Sequence, residues 1–320
     1  MTARRLIVNA DDFGLTAGVD QGIARALGAG AVTSVSVMAN LADPAAVAAL
    51  AAAHPDVSLG AHLNLTTGRP LRPAHEVPSL VDAWGEFLPL AVLTRRALAG
   101  RVRPAHAARE LGAQVAHLAS HGIRVDHLDS HEHVHLLPGI TAAVVDVARR
   151  SNILRLRCHR PRLFPAGGRR AAAIARYYAA HPRRIVSHAV KRVLAARFRR
   201  AGLAGPDGVV SPALLLSPPP TTGPLDAWAA VIRSLPPGTW ELVVHPADLD
   251  VPRDAQDTAR LGELVEPRAA ELAALEGPFF RPLLAAHDVT LVSFAAVPSG
   301  HLARDVRAAP RAGEAHAGRA

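Results

Sequence analysis

The sequence predicts an α/β fold in which parallel strands alternate with helices and close, or nearly close, into a barrel. Short apolar runs alternate along the chain with Ala-rich runs of helical period, which is typical of βα units. Eight strand-like segments can be distinguished, the number that closes a barrel of the TIM type. The 320 residues suffice for one such barrel, and a hydrophobic content of 49% is enough for its core.

The predicted strands are short and apolar, and they are spread over nearly the whole chain. The sixth of them is the weakest. In chain order they cover residues 6–10, 34–39, 57–63, 125–129, 154–158, 209–211, 240–245 and 289–294.

The predicted helices follow most of these strands and are rich in alanine. Pro44 and Pro138 stand where a helix can begin, because the N–H group that proline lacks has no partner in a first helical turn. The predicted helices cover residues 18–30, 43–54, 104–121, 138–150, 224–235 and 260–275.

Two long insertions interrupt the alternation of strands and helices. Residues 64–103 are rich in proline and loop-like, whereas residues 159–206 carry a basic helical segment. In a barrel, long excursions after strand ends usually form lids or substrate walls. The segment 299–320 has no apolar period, and we expect it to be disordered. The sequence therefore predicts a single barrel domain over residues 1–298, with loop insertions.

The positive charge of the chain is a local feature. The formal net charge is +9, but residues 149–200 contain 16 Lys and Arg side chains and no Asp or Glu, so the remainder is net acidic. Such a segment could bind nucleic acid, an anionic membrane surface or an acidic partner, or it could be a solvated Arg-rich face. No recognised nucleic-acid motif accompanies it, and we expect no specific nucleic-acid partner.

The composition favours a cytoplasmic protein. Cys158 is the single cysteine, which excludes an intrachain disulfide framework and fits a reducing compartment. The first residues run directly into a strand-like segment and lack the apolar core of a signal peptide. No run of the sequence approaches the roughly 18 apolar residues that a membrane span needs.

A histidine-rich segment, DSHEHVHLLPG at residues 129–139, follows the fourth predicted strand. Because alternate residues of a strand share a face, we expect Asp129 and the three histidines after it to converge on one side. These histidines are His131, His133 and His135. Such a cluster can bind a metal ion, or it can be an ordinary polar loop, because its spacing fits no closed structural zinc pattern.

Ionisable side chains also end three other predicted strands. The first strand ends in NADDFG with Asp11 and Asp12, the third in GAHLNL with His62, and the seventh in WELVVHPAD with His245. Taken singly, the Asp pair could be a turn or a helix cap, and His62 could be a core residue. The C-terminal strand ends form one face of a barrel, however, so we expect these side chains to meet His131 there, where barrel enzymes keep their active sites.

One carboxylate with two imidazoles is the donor set of a catalytic metal site with a position open for water or substrate. The other carboxylate of the Asp pair could then act as a general base, and His245 could protonate a leaving amine. This set of residues suits the hydrolysis of an amide or an ester.

The segments NADDFG, GAHLNL, HLDSHEHVHLLPG and LVVHPAD together resemble the YdjC-like carbohydrate deacetylases, a group that includes chitooligosaccharide deacetylases and the deacetylases of hopanoid biosynthesis. The strand TSVSVMAN and the C-terminal RAAELAALEGPFFRPLLAAHDVTLVSF extend the resemblance over nearly residues 4–296. The resemblance implies a distorted (β/α) barrel, a divalent metal cation, and removal of N-acetyl groups from amino sugars.

The resemblance also implies roles for single residues. Matched by position, Asp12, His62 and His131 stand where the family has its metal ligands. Asp11 matches the position of the general base, and His245 matches that of the general acid.

Other residues of these motifs have two open interpretations. His133 and His135 either line the site and orient its ligands or serve only in packing and loop hydrogen bonds. Arg157, at the end of the fifth predicted strand, could hold the base carboxylate or a substrate oxygen, and Arg160 is its alternative. The resemblance leaves magnesium and zinc open. Two imidazoles favour zinc, nickel or cobalt, whereas magnesium prefers oxygen donors.

The predicted function is metal-dependent hydrolysis of an N-acetyl group on a chitooligosaccharide or a lipid-linked glucosamine. The basic segment would suit peripheral contact with an anionic membrane surface. One alternative is a basic protein that binds nucleic acid or membrane surfaces. Another is a metal-dependent hydrolase of a different bond such as a phosphoester, although such sites more often use two metals and more carboxylates. The oligomeric state does not follow from the sequence.

Overall fold

The structure, a computed structural model, describes residues 3–157, 178–210, 224–261 and 265–298. Cys158, Arg160, most of the front half of the basic insertion and the segment expected to be disordered lie outside the described residues.

The strands are short, parallel and almost completely buried, apart from the last of them. β1 is the longest strand and extends to Phe13. Asp11 and Asp12, which follow the predicted strand 6–10, therefore lie within β1. In chain order the strands are β1 Arg4–Phe13, β2 Ser34–Val37, β3 Ser58–Leu63, β4 His127–Ser130, β5 Gly208–Val210, β6 Gly238–Val244 and β7 Val289–Leu291.

The helices alternate with the strands, as the Ala-rich runs predict. Thr16 and Asp43 cap the first two helices, and Pro44 occupies the first turn of the second. The described helices are α1 Ala17–Gly28, α2 Pro44–Ala53, α3 Leu90–Leu98, α4 Pro104–Ser120, α5 Ile140–Arg150, α6 Pro182–Arg200, α7 Pro224–Arg233, α8 Ala255–Leu261, α9 Val265–Glu276 and α10 Phe280–Ala286.

The sheet runs β4-β3-β2-β1-β6-β5, and β7 pairs with the first residues of β1. Isolated bridges join its two edges, because Leu156 pairs with Leu128 of β4 and Arg155 pairs with Ala204. The chain then continues from Ala204 directly into β5, which pairs with β6. The parallel strands therefore form a distorted barrel, which confirms the predicted fold class.

β1 lies in the middle of the sheet and separates the barrel interior from the helical layer. Ile7 packs against Phe294 and Val297 in a small cluster of its own. Asn9 and Asp11, two and four residues further on, share the same side and hydrogen-bond to each other at 2.7 Å. The apolar residues between them belong to the large core beneath the helices.

Several element predictions were wrong in detail. The insertion 64–103 is not loop throughout, because it contains α3, whose Leu93 and Ala97 are buried. The fifth predicted strand is reduced to the bridges at Arg155 and Leu156, with residue 158 outside the described chain. The predicted helix 138–150 begins only at Ile140, after a glycine with φ 81°. The predicted helix 260–275 corresponds to α8 and α9, separated by residues outside the description.

None of the described helices has an apolar window long enough to cross a membrane.

Candidate active site

The carboxyl ends of β1, β3, β4 and β6 meet at one mouth of the barrel. The parallel register places His62 of β3 beside Asp129 of β4. A cavity of about 800 Å³ opens at this mouth. Its lining includes six of the predicted site residues, namely Asp11, Asp12, His62, His131, His133 and His245.

The three predicted metal ligands lie together. The Oδ1 atom of Asp12 is 2.8 Å from Nδ1 of His131 and 3.2 Å from Nε2 of His62. One donor atom from each of the three side chains lies within 4.8 Å of the other two. Donors about 2.1 Å from a shared cation stand roughly 3 to 3.5 Å apart, so this spacing fits a common metal ion.

The backbone of Asp12 explains how both adjacent carboxylates reach the cavity. Strict strand alternation would direct Asp12 to the side opposite Asp11. Instead Asp12 has φ 74°, and the pairing of β1 with β2 is irregular between Ala10 and Phe13. Asp tolerates this left-handed conformation better than most residues. The irregularity therefore turns Asp12 toward the same cavity as Asp11.

His62 is oriented by a carboxylate that the sequence analysis did not assign to it. Nδ1 of His62 is 2.8 Å from Oδ1 of Asp129, which also accepts a hydrogen bond from Ser36 on its other oxygen at 2.6 Å. A histidine bonded to a carboxylate through one nitrogen presents the other nitrogen as a metal donor. Nε2 of His62 accordingly faces Asp12.

The pKa of His62 reports how strongly this site favours positive charge. Burial alone would lower the pKa of the imidazole, but the carboxylates of Asp129, Asp11 and Asp12 raise it to about 10. Without a metal ion, the imidazole therefore carries a proton at neutral pH. A metal that binds Nε2 must displace this proton.

Asp11 is held by Arg157 and not by the three-residue cluster. Nη1 and Nη2 of Arg157 donate to the two oxygens of Asp11 at 2.7 and 2.6 Å, and Asn9 donates to Oδ1. Burial raises the pKa of Asp11, but Arg157 and His62 overcome this effect and hold the pKa below its usual value. Asp11 is thus an ionised carboxylate 3.8 Å from Nε2 of His62.

Arg157 is fully buried inside the barrel, where it joins three strands. Besides Asp11 it contacts Asp129 through Nη2 at 2.8 Å and donates to Glu241 of β6 through Nε at 2.6 Å. Burial, together with the Asp129 and Asp11 carboxylates, raises the pKa of Glu241 to about 8 against the opposing effect of Arg157. Arg157 therefore lies beside the Asp11 carboxylate, as expected, whereas its alternative Arg160 lies outside the described residues.

A second buried arginine, which the sequence analysis missed, holds the other carboxylate. Arg268 lies in α9 and donates through Nη2 to Oδ2 of Asp12 at 2.6 Å. Its side chain is only 4% exposed. This bond leaves Oδ1 of Asp12 directed at the two imidazoles. The signal available in the sequence was an arginine in the helical RAAEL segment, which by itself does not distinguish a site residue from a surface charge.

The histidine-rich segment does not continue β4, so the predicted strand periodicity was wrong. β4 ends at Ser130, and residues 131–136 form a tight turn with φ 50° at Glu132 and 58° at His133. His135 is buried with its Nδ1 2.5 Å from the hydroxyl of Ser130. The turn thus directs the histidines differently: His131 reaches Asp12, His133 lines the cavity and His135 packs beneath it.

His245 follows β6, the strand that pairs with β1, and lines the same cavity as the Asp pair. Its backbone N–H donates to Oε2 of Glu271 in α9 at 2.5 Å. Burial raises the pKa of Glu271, whereas the nearby His245 lowers it. The structure thus brings His245 to the cavity, and α9 supplies side chains to both the Asp12 side and the His245 side of it.

The charges of the buried residues at this mouth balance only while the imidazole of His62 is protonated. Four carboxylates face two guanidinium groups among the described residues, and with Glu241 protonated the imidazolium of His62 supplies the third positive charge. The carboxylates belong to Asp11, Asp12, Asp129 and Glu241, and the guanidinium groups to Arg157 and Arg268. An unpaired buried charge is costly, and a divalent cation that displaces the proton of His62 would take over its positive charge.

The sequence profile of the family described as YdjC-like protein matches residues 5–286 of the chain. The chain belongs to the YdjC-like family. It is 43% identical over 166 residues to a carbohydrate deacetylase of Geobacillus stearothermophilus and 42% identical over 156 residues to a chitooligosaccharide deacetylase of Yersinia pestis (strain Pestoides F). These matches span 51% and 48% of this chain.

The alignments with these YdjC-like relatives cover only 64% and 60% of the relatives' own lengths. The fold is shared more widely. A protein of Enterococcus faecalis V583, described as a candidate cellobiose-phosphate cleavage protein, superposes with a TM-score of 0.66 at 22% identity. That match covers 92% of this chain and 98% of the other, and it supports the fold alone.

Proposed function

We propose that this YdjC-like protein is a metal-dependent deacetylase that hydrolyses the N-acetyl group of an amino sugar. The observation that carries the proposal is the meeting of Asp12, His62 and His131 beside an ionised Asp11 that is hydrogen-bonded elsewhere. Such a donor set suits a divalent cation, which when bound would acidify water and polarise the acetyl carbonyl. The deacetylase names of the relatives agree with this chemistry.

Asp11 would act as the general base. Its pKa lies below the usual value, so the carboxylate is ionised at neutral pH and can accept a proton from the attacking water. The bidentate bond from Arg157 fixes the orientation of the carboxylate while the proton is transferred. The oxygen of the water forms a bond to the acetyl carbon, and the C–N bond breaks.

His245 would act as the general acid. Its position in the cavity lining, at the end of the strand beside β1, would allow it to give a proton to the leaving nitrogen, so that acetate and a free amine are released. His133 also lines the cavity and would contact the sugar.

The cavity volume of about 800 Å³ is large enough for a sugar unit together with its neighbour. The substrate would be a chitooligosaccharide or a glucosamine linked to a lipid. Two imidazoles and one carboxylate favour zinc over magnesium as the resident ion, because magnesium prefers oxygen donors.

The test is acetate release by the purified chain loaded separately with Zn²⁺ or Mg²⁺. The substrates are N-acetylated chitooligosaccharides, an N-acetylglucosaminyl lipid and, for the phosphoester alternative, a chromogenic phosphate ester. We expect acetate from at least one N-acetylated substrate, and Asp11→Asn should lower kcat about 100-fold or more while metal content stays unchanged. Hydrolysis of the phosphate ester without acetate release would overturn the proposal.

A further inference from the structure

Helix α6, Pro182–Arg200, lies beside the mouth of the candidate active site. Phe198 is buried on its inner face, with its ring centroid 6.2 Å from that of His135. His133 lines the cavity, and its pKa is lowered by burial and by nearby positive charges, among them that of Lys191 in the helix. At the end of the helix, Arg149 of α5 donates two hydrogen bonds to the carbonyl oxygen of Ala201. The helix is therefore attached to the barrel next to the cavity.

The face of α6 opposite to this attachment is apolar and exposed. The inner face consists of His188, Ala195 and Phe198, each at most 5% exposed. At 100° per residue, the opposite direction is occupied by four branched aliphatic side chains and Ala189. The outer face of α6, as we call it, consists of Ile185, Val186, Ala189, Val190 and Val193.

The outer face leaves large hydrophobic side chains in contact with solvent. Ile185 is 50% exposed, Val186 and Val193 are each 67% exposed, and Val190 is 48% exposed. Single exposed apolar residues are common on protein surfaces, but four within nine residues of one helix form a contiguous patch that indicates an interaction surface.

Basic residues border this patch. α6 contains seven Lys and Arg residues and no Asp or Glu. Arg192 and Arg199 project to one side of the outer face, and Arg197 and Arg200 lie in line with it at its C-terminal end, all four exposed. An apolar stripe with basic side chains along one side and at one end matches an anionic lipid surface, with acyl chains meeting the valines and headgroups meeting the arginines.

We propose that the outer face of α6 docks the protein on an anionic lipid surface. The inference rests on the proposed function and narrows it: docking through α6 would bring the adjacent cavity to the membrane surface, which favours the lipid-linked amino sugar over the free oligosaccharide. A nucleic-acid partner fits less well, because the outer face has no aromatic side chain for base stacking.

The proposal is tested by co-sedimentation of the full chain with lipid vesicles. One vesicle is pure phosphatidylcholine, and the other contains about one third phosphatidylglycerol. We expect binding to the anionic vesicles that is at least about tenfold stronger than to the neutral ones and that weakens with salt. The triple variant Val186→Ser, Val190→Ser, Val193→Ser should bind the anionic vesicles at least about tenfold more weakly than the unmodified chain does.

A matched control replaces exposed apolar residues on other surfaces. Leu98 and Phe279 are 72% and 67% exposed, and the double variant Leu98→Ser, Phe279→Ser should bind like the unmodified chain. Circular dichroism melts of both variants check the fold. Equal binding by the triple variant and the control would overturn the proposal, as would equal binding of the unmodified chain to neutral and anionic vesicles.

Two further measurements are needed. One distinguishes lipid from a second copy of the chain as the occupant of the outer face, and the other distinguishes failure of docking from failure of the proposed function. A concentration-dependent dimer in light scattering that the triple variant abolishes, without vesicle binding, would assign the outer face to a second copy of the chain and overturn lipid docking. Vesicle binding involves no catalysis, so it can fail while acetate release from a soluble substrate persists. If docking is correct, the triple variant keeps its activity on soluble N-acetylated chitooligosaccharides. It loses activity on the N-acetylglucosaminyl lipid when that lipid is presented in vesicles.

Discussion

At the residue scale, the two adjacent carboxylates of β1 have different partners. Asp11 is bonded on both oxygens by Arg157, whereas Asp12 has one oxygen bonded by Arg268 and the other directed at two imidazoles. The same residue type at neighbouring positions therefore has two environments. This difference is what supports a base role for Asp11 and a ligand role for Asp12.

Replacement of His62 by alanine should abolish stoichiometric metal binding. The substitution removes a donor at the centre of the cluster, and two remaining ligands hold a divalent ion weakly. The measurement is metal content after dialysis against dilute Zn²⁺. His75→Ala is the control, because His75 is exposed and lies outside the cavity lining. Full metal content in His62→Ala would remove His62 from the proposed ligand set.

Replacement of Arg268 by methionine should weaken metal affinity by about 10- to 100-fold, because Oδ2 of Asp12 loses the donor that orients the carboxylate. Titration with Co²⁺ measures the affinity, and its visible spectrum reports any change in coordination. Arg268→Lys should restore part of the loss. Arg260→Met is the control, since Arg260 also lines the cavity but donates to the carbonyl of Leu15. Equal affinities in both methionine variants would refute a positioning role for Arg268.

At the scale of elements, α1 packs closely against the loop that follows β6. A Cβ atom at Gly22 would lie 2.6 Å from the Cα atom of Ala247. The main-chain N–H of Asp248 also donates to the carbonyl of Gly18 at 2.8 Å. This close approach fixes the loop just after His245. A small residue in the helix therefore helps to set the wall of the cavity.

Gly22→Ala should lower the free energy of unfolding by roughly 1 to 3 kcal/mol, because the added methyl group meets backbone that cannot move away without separating α1 from the loop. Gly28→Ala in the same helix is the matched control. Nothing lies within 4 Å of a Cβ atom there, so the change should be neutral or should stabilise the protein by up to about 1 kcal/mol. Urea unfolding measures both; equal effects would contradict the packing argument.

At the scale of the whole molecule, the barrel interior is a polar network. Arg157 connects carboxylates from β1, β4 and β6, and Asn9 links Asp11 to Ser36 of β2. In the sheet β4 is separated from β1 by two strands, so these side chains meet across the barrel interior. The stability of the barrel should therefore depend on the protonation of this network.

Glu241→Gln should flatten the dependence of stability on pH. The folded-state pKa of Glu241, about 8, lies above its ordinary value of 4.5, so the folded chain binds this proton more tightly than the unfolded chain does. The contribution of Glu241 is complete below about pH 4.5 and is lost as the pH rises toward about 8. Glutamine keeps an acceptor for Arg157 and removes the titration.

The measurement is urea unfolding of the metal-free chain and of Glu241→Gln between pH 5 and pH 8. The stability of the unmodified chain relative to the variant should fall by roughly 1 to 4 kcal/mol over this interval. A constant difference between the two proteins would show that the pKa of Glu241 is not raised.

Much of the fold followed from local patterns. The alternation of apolar and Ala-rich runs located most strands and helices, because burial on both faces of a parallel strand selects continuous apolar runs. α3 was missed because its short apolar pattern is embedded among prolines. The fifth strand was overestimated, because an apolar run does not reveal how many of its residues find a hydrogen-bonding partner.

The candidate site followed from the sequence only where a motif ends a strand. The C-terminal strand ends of a barrel share one face, and this brings together Asp12, His62 and His131. Arg268 and Glu241 could not be found this way, since an arginine in a helix and a glutamate in a strand look like ordinary surface or sheet residues. Their importance depends on distances of a few ångströms across the barrel.

The sequence by itself determined the alternation of strands and helices, the residue types at the barrel mouth and the family resemblance, because these are set by local composition and spacing. Only the tertiary structure decided which carboxylate each arginine holds, how Asp12 turns toward the cavity and which way the histidine turn directs its three imidazoles. Hydrogen bonds form only when donor and acceptor are about 3 Å apart. Residues more than two hundred positions apart in the sequence reach that distance only when the barrel closes.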